Sequence, residues 1–339
     1  MPTPKSVVEM LQVLIPLRQS VFIWGPPGAG KSSVIAQVAK ALDREMIDLR
    51  ANLLDPVDVR GLPHIKDGMA HWATPSFFPT EGEGILNLDE LNTAPSLTQN
   101  AFLQLTIPPY KLGEYTLPPG WTIVAAGNRA TDRAHVTRMS SALNDRFHHI
   151  NFEVSTDDWV EWAYGAKVVP ELIGFVRARP NLLHKFDPAL NEKTFPTPRG
   201  WEVVSNILKT GAIKSLEGTI DDRNIEFDLL SGKVGDGPAF EFLSFLRTFR
   251  SMPDINQILK NPDKVEVPDD PDTLYAMCGA LAAKASKKTM GAIVTYSLRE
   301  EMRKEFSVLL IMDSVRKDKS ITYTKAFIRW ASKNAEVMI

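Results

Sequence analysis

The sequence predicts an α/β fold in which a parallel sheet flanked by helices is followed by an all-α region. Three observations predict it. The apolar run Val21-Phe22-Ile23-Trp24 stops at Gly25, small residues follow, and after Lys31-Ser32 the stretch Val34 to Leu42 spaces its apolar residues as a helix does. Strand-like and helix-like stretches then alternate to about residue 155, as they do when helices cover both faces of a parallel sheet. From about Asp157 the pattern is helical only, punctuated by Phe195-Pro196-Thr197-Pro198 and by the charged, proline-containing stretch Val265 to Pro271.

Val7 to Leu17 has helical period and precedes the first strand. Glu45-Met46-Ile47-Asp48-Leu49 reads as the second strand. A turn-rich region, Leu54 to Pro63, leads into His64 to Ala73, where Asp67-Gly68 between short extended runs is a strong hairpin signal. Gly84 to Leu88 reads as a buried strand that ends in Asp89-Glu90. Asn87 is polar inside it and needs a hydrogen-bond partner. Ser96 to Leu105 reads as a helix, with Pro95 just before it. A second hairpin is expected from Lys111 to Leu117 around Gly113-Glu114. Trp121 to Ala126 is a strand ending at Gly127-Asn128, Ser140 to Arg146 a short helix, and Phe147 to Val154 a further strand.

The chemistry gathers at the strand ends. Gly25-Pro26-Pro27-Gly28-Ala29-Gly30-Lys31-Ser32 matches the phosphate-loop pattern G-x-x-x-x-G-K-S/T at every fixed position, between a strand and a helix that opens with Lys31, Ser32 and Ser33. Glycines let the backbone curl so that several N–H groups face inward as an anion nest. The helix start adds donors and a positive dipole end. Lys31 is placed to reach the β- and γ-phosphates of ATP, and the Ser32 hydroxyl to ligate Mg²⁺. Asp89 at the end of a buried strand suits the same Mg²⁺, directly or through water. Glu90 beside it suits the orientation and deprotonation of an attacking water. Asn128 closes the next strand and suits the holding of that water, although an isolated asparagine there more commonly caps a turn. Arg146 ends the short helix before Phe147. Arg199 opens a helix for which Thr197 suits the cap and Pro198 the first position.

This order of signals resembles an AAA+ ATPase and, within that superfamily, the MoxR-like group with its helix-2 insert. Gly25 to Ser32 resembles Walker A and Ile85 to Glu90 resembles Walker B. Asn128 resembles sensor 1, Arg146 in Asn144-Asp145-Arg146-Phe147 the arginine finger, and Arg199 in Thr197-Pro198-Arg199 sensor 2. Glu90-Leu91-Asn92-Thr93-Ala94-Pro95 is similar to the group's E-I/L-N-R/T-A-P run. The Asp67-Gly68 hairpin stands where the helix-2 insert belongs, and the Gly113-Glu114 hairpin where the pre-sensor-1 hairpin belongs. The resemblance covers about residues 1–210. It implies an ATP-binding core over 1–155 with two inserted hairpins, a helical lid with sensor 2 over 156–212, and a helical extension over 213–339. It further implies ATP hydrolysis with Mg²⁺, a homo-oligomer in the form of a hexameric ring, and a chaperone-like action on a protein client such as a von Willebrand factor A domain protein.

Composition limits the alternatives. The 339 residues are 44% hydrophobic, enough for an ample core in two or three domains. A net charge of −2 argues against a nucleic-acid partner held by a global basic field, though not against a local patch. The alternatives weighed are an ATP-dependent nucleic-acid motor or loader and a nucleotide-gated binding switch. Cys278 is the only cysteine, which excludes an intramolecular disulfide and a cysteine metal site. His148 and His149 adjoin on a strand and face opposite sides, so they do not chelate one ion. Trp159 and Trp162 read as packing residues, and Ala285-Ser286-Lys287-Lys288 as a solvated helix face. Gly232 to Gly237 lacks Lys-Ser/Thr at a helix start and reads as a turn before a helix from Ala239 to Arg250. The start of the chain shows no signal-peptide core and no apolar run is long enough to span a membrane, so the expected location is cytoplasmic.

Overall fold

The computed structural model describes residues 2–132, 137–190, 192–211 and 220–337. The chain divides into two compact units, Met1–Ser155 with Asp187–Asn191, and Thr156–Phe186 with Glu192–Ile339. The expected division between lid and extension at 212/213 lies outside the described residues.

The first unit is built on five parallel strands. These are β1 (Val21–Trp24), β2 (Glu45–Arg50), β5 (Glu83–Asp89), β8 (Gly120–Gly127) and β9 (His148–Asn151), in the order β2-β5-β8-β1-β9. Two hairpins stand apart from this sheet: β3 (Leu62–Lys66) with β4 (Met69–Ala73), and β6 (Lys111–Leu112) with β7 (Tyr115–Thr116). The first turns at Asp67 (φ 53) and Gly68 (φ 73), two left-handed residues, as the two-residue turn for a right-twisted ribbon requires.

Period-two alternation sends β1 side chains to both faces, and both faces are covered. Val21 and Ile23 pack with Ile85, Val124 and Phe152 beneath α1 (Pro4–Leu14) and α2 (Lys31–Ala41). Phe22 packs with Leu86, Leu88, Phe102, Trp121 and Phe147 on the other side, which α3 (Pro56–Arg60), through Val59, and α4 (Ser96–Phe102) help to close. Double coverage explains why β1, β5 and β8 read as near-continuous apolar runs. The polar exception, Asn87, is fully buried and donates to Asp48 on the neighbouring strand at 2.6 Å.

Some boundaries move from expectation for local reasons. The first helix begins at Pro4, because Thr3 caps it and proline suits its first turn. It ends at Leu14, before Arg18 turns left-handed (φ 57). The last strand is only His148–Asn151. The helix from Ser96 tightens to a 3₁₀ turn at Leu103–Thr106. The short helix α5 (Ser141–Asn144) is capped by Ser140.

Among the described residues the second unit is helical: α6 (Thr156–Gly165), α7 (Pro170–Ala178), α8 (Pro198–Lys209), α9 (Ile220–Val234), α10 (Asp236–Ser251), α11 (Ile255–Lys260), α12 (Pro271–Ala283), α13 (Met290–Ser297), α14 (Lys304–Lys317) and α15 (Lys325–Lys333). The turn expected over Gly232 to Gly237 shrinks to Gly235 (φ 88), since α9 carries on through Gly232 and Lys233. Lys287 and Lys288 lie in a turn between α12 and α13 rather than on a helix face, because the helix has already ended at Ala283. Trp159 is buried, 6.1 Å from Trp162 between ring centroids, as packing residues are.

Inside this unit an ion network ties three helices. Asp313 is almost fully buried and takes two hydrogen bonds from Arg177, one of them at 2.9 Å. Asp157 receives Arg177 at 2.6 Å and Arg316 at 2.9 Å. Burial pushes the Asp157 carboxyl up, but the hydrogen bond and charge of Arg177, with Arg316 behind them, outweigh it and hold the carboxyl below its ordinary range. A depressed carboxyl contributes stability above its unfolded value of about 3.9 and loses it as the pH falls through the lower folded value. Thermal melts followed down from about pH 5 should show a loss below about pH 4 that Asp157→Asn diminishes. An unchanged acid limb in the variant would remove Asp157 from the explanation.

In the sheet, Gly84 faces Trp121 in cross-strand register, and a Cβ there would stand 2.5 Å from the indole ring. Trp121 is fully buried and donates to the Glu81 carbonyl at 2.9 Å, so the ring is held at both ends. Gly84→Ala should therefore destabilise the first unit by about 1–3 kcal/mol, the usual scale of overpacking, measured as a lower denaturant midpoint. A wild-type midpoint would show that the ring yields freely.

Candidate active site

The sheet register assembles the site. Trp24 pairs with Gly127, and Leu88 with Ala125, so β1, β5 and β8 stop at nearly one level. The residues that follow, Gly25, Asp89-Glu90 and Asn128, therefore leave the same edge of the sheet side by side. This is the carboxyl edge, where ligands of open parallel sheets bind.

The loop runs from Gly25 to Gly30. Gly28 (φ 70) and Gly30 (φ 101) take left-handed conformations that a side chain would strain. Gly30 is also the cap of α2, so the first-turn N–H groups of Lys31, Ser32 and Ser33 have no acceptor within the helix. Pro26, Pro27 and Ala29 complete the curl. The Lys31 ammonium donates to the carbonyls of Gly25 (2.8 Å) and Pro26 (3.0 Å) and to Asn128 Oδ1 (3.1 Å). Thus the loop, its lysine and the end of β8 meet at one cation.

Ser32 Oγ donates to Asp89 Oδ2 at 3.2 Å, joining the helix start to the end of β5. A hydroxyl and a carboxylate this close form the hard-oxygen pair that Mg²⁺ takes when substrate phosphates and waters supply its other ligands. No group of three or more His, Cys, Asp or Glu side chains suited to a metal occurs among the described residues. The pair fits a nucleotide-borne Mg²⁺.

Glu90 sits in a left-handed turn (φ 55, ψ 31). Thr93 Oγ1 donates to its carbonyl at 2.9 Å, and its own N–H donates to Asp89 Oδ1 at 3.0 Å. Its carboxylate Oε2 receives Asn52 Nδ2 at 2.6 Å. Asn52 lies in the 3₁₀ turn after β2 and was missed in the sequence. Its place directly beyond β2 is local, but that β2 borders the acid-bearing strand is set by the order of the sheet. Asn92 lies within the run Glu90 to Pro95. It is fully buried and donates to the Asn128 carbonyl at 2.7 Å, so it holds the backbone from which Asn128 projects.

Gly25 to Ser33, Asp89, Glu90 and Asn128 are thus brought together. Arg146 is not with them. It precedes β9, whose first residue His148 pairs with Val21 at the start of β1, so it lies at the opposite end of the sheet from the loop. There it donates to the Leu103 carbonyl at 2.9 Å. Arg199 belongs to the helical unit, where it is exposed in the first turn of α8. As the sequence suggested, Thr197 caps that helix, accepting from Gly200 N–H at 2.9 Å.

A five-stranded parallel sheet with flanking helices, followed by a helical region, is the AAA+ fold. No curated protein matches the chain. Among solved structures it is similar to NtrX from Brucella abortus in complex with ATP, at 14% identity over 99% of this chain and 67% of that one (TM-score 0.42). It is also similar to the Thermotoga maritima RuvB Holliday junction branch migration motor, at 15% identity over 84% and 83% (TM-score 0.38). Residues 20–147, which hold the phosphate loop, both strand-end acids and Asn128, match the family of the AAA domain, dynein-related subfamily.

Proposed function

We propose that the protein hydrolyses ATP to ADP and phosphate and couples the cycle to remodelling of a protein partner. The observation that carries the first half is the meeting of Lys31, the Ser32–Asp89 pair, Glu90 and Asn128 at one sheet edge. In this reading the loop N–H groups and Lys31 bind and orient the phosphates, exchanging the carbonyl contacts of Lys31 for stronger charge-assisted ones. Ser32 and Asp89 would hold Mg²⁺, which neutralises phosphate charge when bound. Glu90 takes the proton of the attacking water, and Asn128 holds that water in line. Asn52 keeps the Glu90 carboxylate turned toward β2 until the site is loaded.

The remodelling half rests on the first hairpin. Leu62, Ile65 and Met69 are 66%, 83% and 61% exposed, an apolar surface unusual for a short ribbon in water. His71 joins this hairpin to the second through Glu114 at 3.0 Å, so the two present one contact surface for a client. A von Willebrand factor A domain protein is the partner that the MoxR-like resemblance suggests, and the helix-2 insert is the part this hairpin would play. No helix among the described residues is long and apolar enough to cross a membrane, and the action proposed is on a cytoplasmic client.

Two substitutions separate binding from chemistry. Lys31→Ala should lose ATP affinity in a folded protein. Glu90→Gln should keep ATP while turnover drops by about 10²-fold or more, the scale of general-base catalysis. Normal turnover in Glu90→Gln, measured as phosphate release, would refute the role given to Glu90.

Arg146 cannot serve the phosphate loop of its own subunit from the other end of the sheet. It is proposed to reach a neighbour's γ-phosphate across a head-to-tail contact, which closes into a ring, a hexamer by resemblance. Arg199 is proposed to sense the nucleotide from the lid. Specific activity should then rise with protein concentration, and Arg146→Ala subunits should bind ATP yet be about 10³-fold slower or worse. Mixing them with Lys31→Ala subunits should restore turnover, because mixed rings contain interfaces with an intact loop and an intact arginine. A monomer by ultracentrifugation, with no rescue on mixing, would rule out the trans arginine.

A further inference from the structure

The near-even balance of 39 basic and 41 acidic residues hides a local surplus. Residues 316–333 hold six basic side chains and one acid, Asp318. Three of them, Lys325, Arg329 and Lys333, recur every four residues along α15, and all three are exposed. That spacing sets them about 6 Å apart along one face of the helix. Among the described residues these three make no ion pair, whereas Lys319 meets Glu161 at 3.0 Å and Arg316 meets Asp313 at 2.7 Å.

The surface extends beyond the helix. α13 packs against α15, and the turn before α13 brings exposed Lys287 and Lys288. Asp318 is held below the ordinary carboxylate range mainly by hydrogen bonds from Ser320, with Lys317 and Lys287 adding smaller attractions, so these two lysines flank the same acid. Tyr323, 85% exposed, lies between Lys319 and Lys325 in the chain. The large aromatics of α15 are used within the unit, and Ile328 is its one large apolar side chain left exposed, at 55%. Trp330 is fully buried, donates to Ser307 Oγ at 3.0 Å and packs near Phe327. One exposed isoleucine gives the helix little to sink into a lipid surface.

We propose that this corner of the helical unit binds the phosphate backbone of a nucleic acid, with Lys325, Arg329 and Lys333 as its centre and Tyr323 as a stacking face for an unpaired base. Lysines and an arginine in a row, without ion pairs among the described residues, suit a repeating anion bound through counterion release. An exposed aromatic ring among cations suits single strands in particular. The proposal stands apart from ATP hydrolysis and does not require it.

The test is fluorescence anisotropy of the full chain with a labelled single-stranded oligonucleotide of roughly 20 nucleotides, without nucleotide present. Three neutralised phosphates predict an affinity loss of about 20-fold between about 50 mM and about 200 mM salt. The triple variant Lys325→Glu, Arg329→Glu, Lys333→Glu should bind at least about 10-fold more weakly. A control triple of exposed lysines elsewhere, Lys40→Glu, Lys209→Glu, Lys260→Glu, has the same net charge and should bind nearly as wild type. Circular dichroism checks that both variants fold. Equal loss in both triples, or no binding by the wild type, would overturn the proposal. So would stripe-dependent binding to phosphatidylserine vesicles or to polyglutamate without binding to the oligonucleotide.

Discussion

Hydrogen bonding between parallel strands sets the level at which each strand ends, and every group in the candidate site hangs from that level. The loop glycines cannot aim their N–H groups, nor Lys31 its ammonium, unless β1 stops beside β8. The pairing of Trp24 with Gly127 and the Gly25 N–H···O=C Gly127 bond of 3.2 Å fix that stop. One strand further over, the same ladder brings Asp89 within reach of Ser32. A slip of one residue in any of the three strands would invert its faces and withdraw its terminal side chain from the cluster. The buried faces, Val21 and Ile23 on one side and Phe22 on the other, are what resist such a slip.

The parts legible in the sequence were those in which local chemistry and tertiary role agree. The phosphate loop, the acid pair after an apolar strand, the Asp67-Gly68 turn and the Thr197 cap each need particular residues at particular spacings, and each stands in the fold as read. The parallel sheet itself followed from the alternation of patterns. Asn52 was not legible, because its importance comes from the partner strand chosen by β2, a long-range fact that no local spacing encodes. The ends of helices and strands moved where a cap or a left-handed residue overrode periodicity, as at Thr3, Arg18 and Gly235. Lys287 and Lys288 read as a helix face because charge pattern alone does not reveal that the preceding helix has stopped.

The first hairpin and the basic corner illustrate one division of labour. The sheet holds its groups by buried packing on both faces, which leaves it little freedom to vary. The first hairpin, with β3 exposed throughout, can change sequence without disturbing a core, whereas the second is tied to the core through Leu112 and Tyr115. The basic stripe likewise rides on the outer face of a helix whose inner face carries the packing, so the surface charge is set independently of the fold.

Glu90 shows what such placement asks of the backbone. A glutamate at φ 55 occupies a region that costs a side-chain-bearing residue roughly 1–2 kcal/mol and costs glycine almost nothing. The contacts of Thr93 and Asp89 hold it there. At this one position, then, folding and chemistry favour different residues: glycine would relax the turn and remove the carboxylate together. Stability alone would favour the relaxed turn. An acid at this position therefore exchanges backbone ease for a carboxylate at the sheet edge, a compromise read in the backbone angle of a single residue.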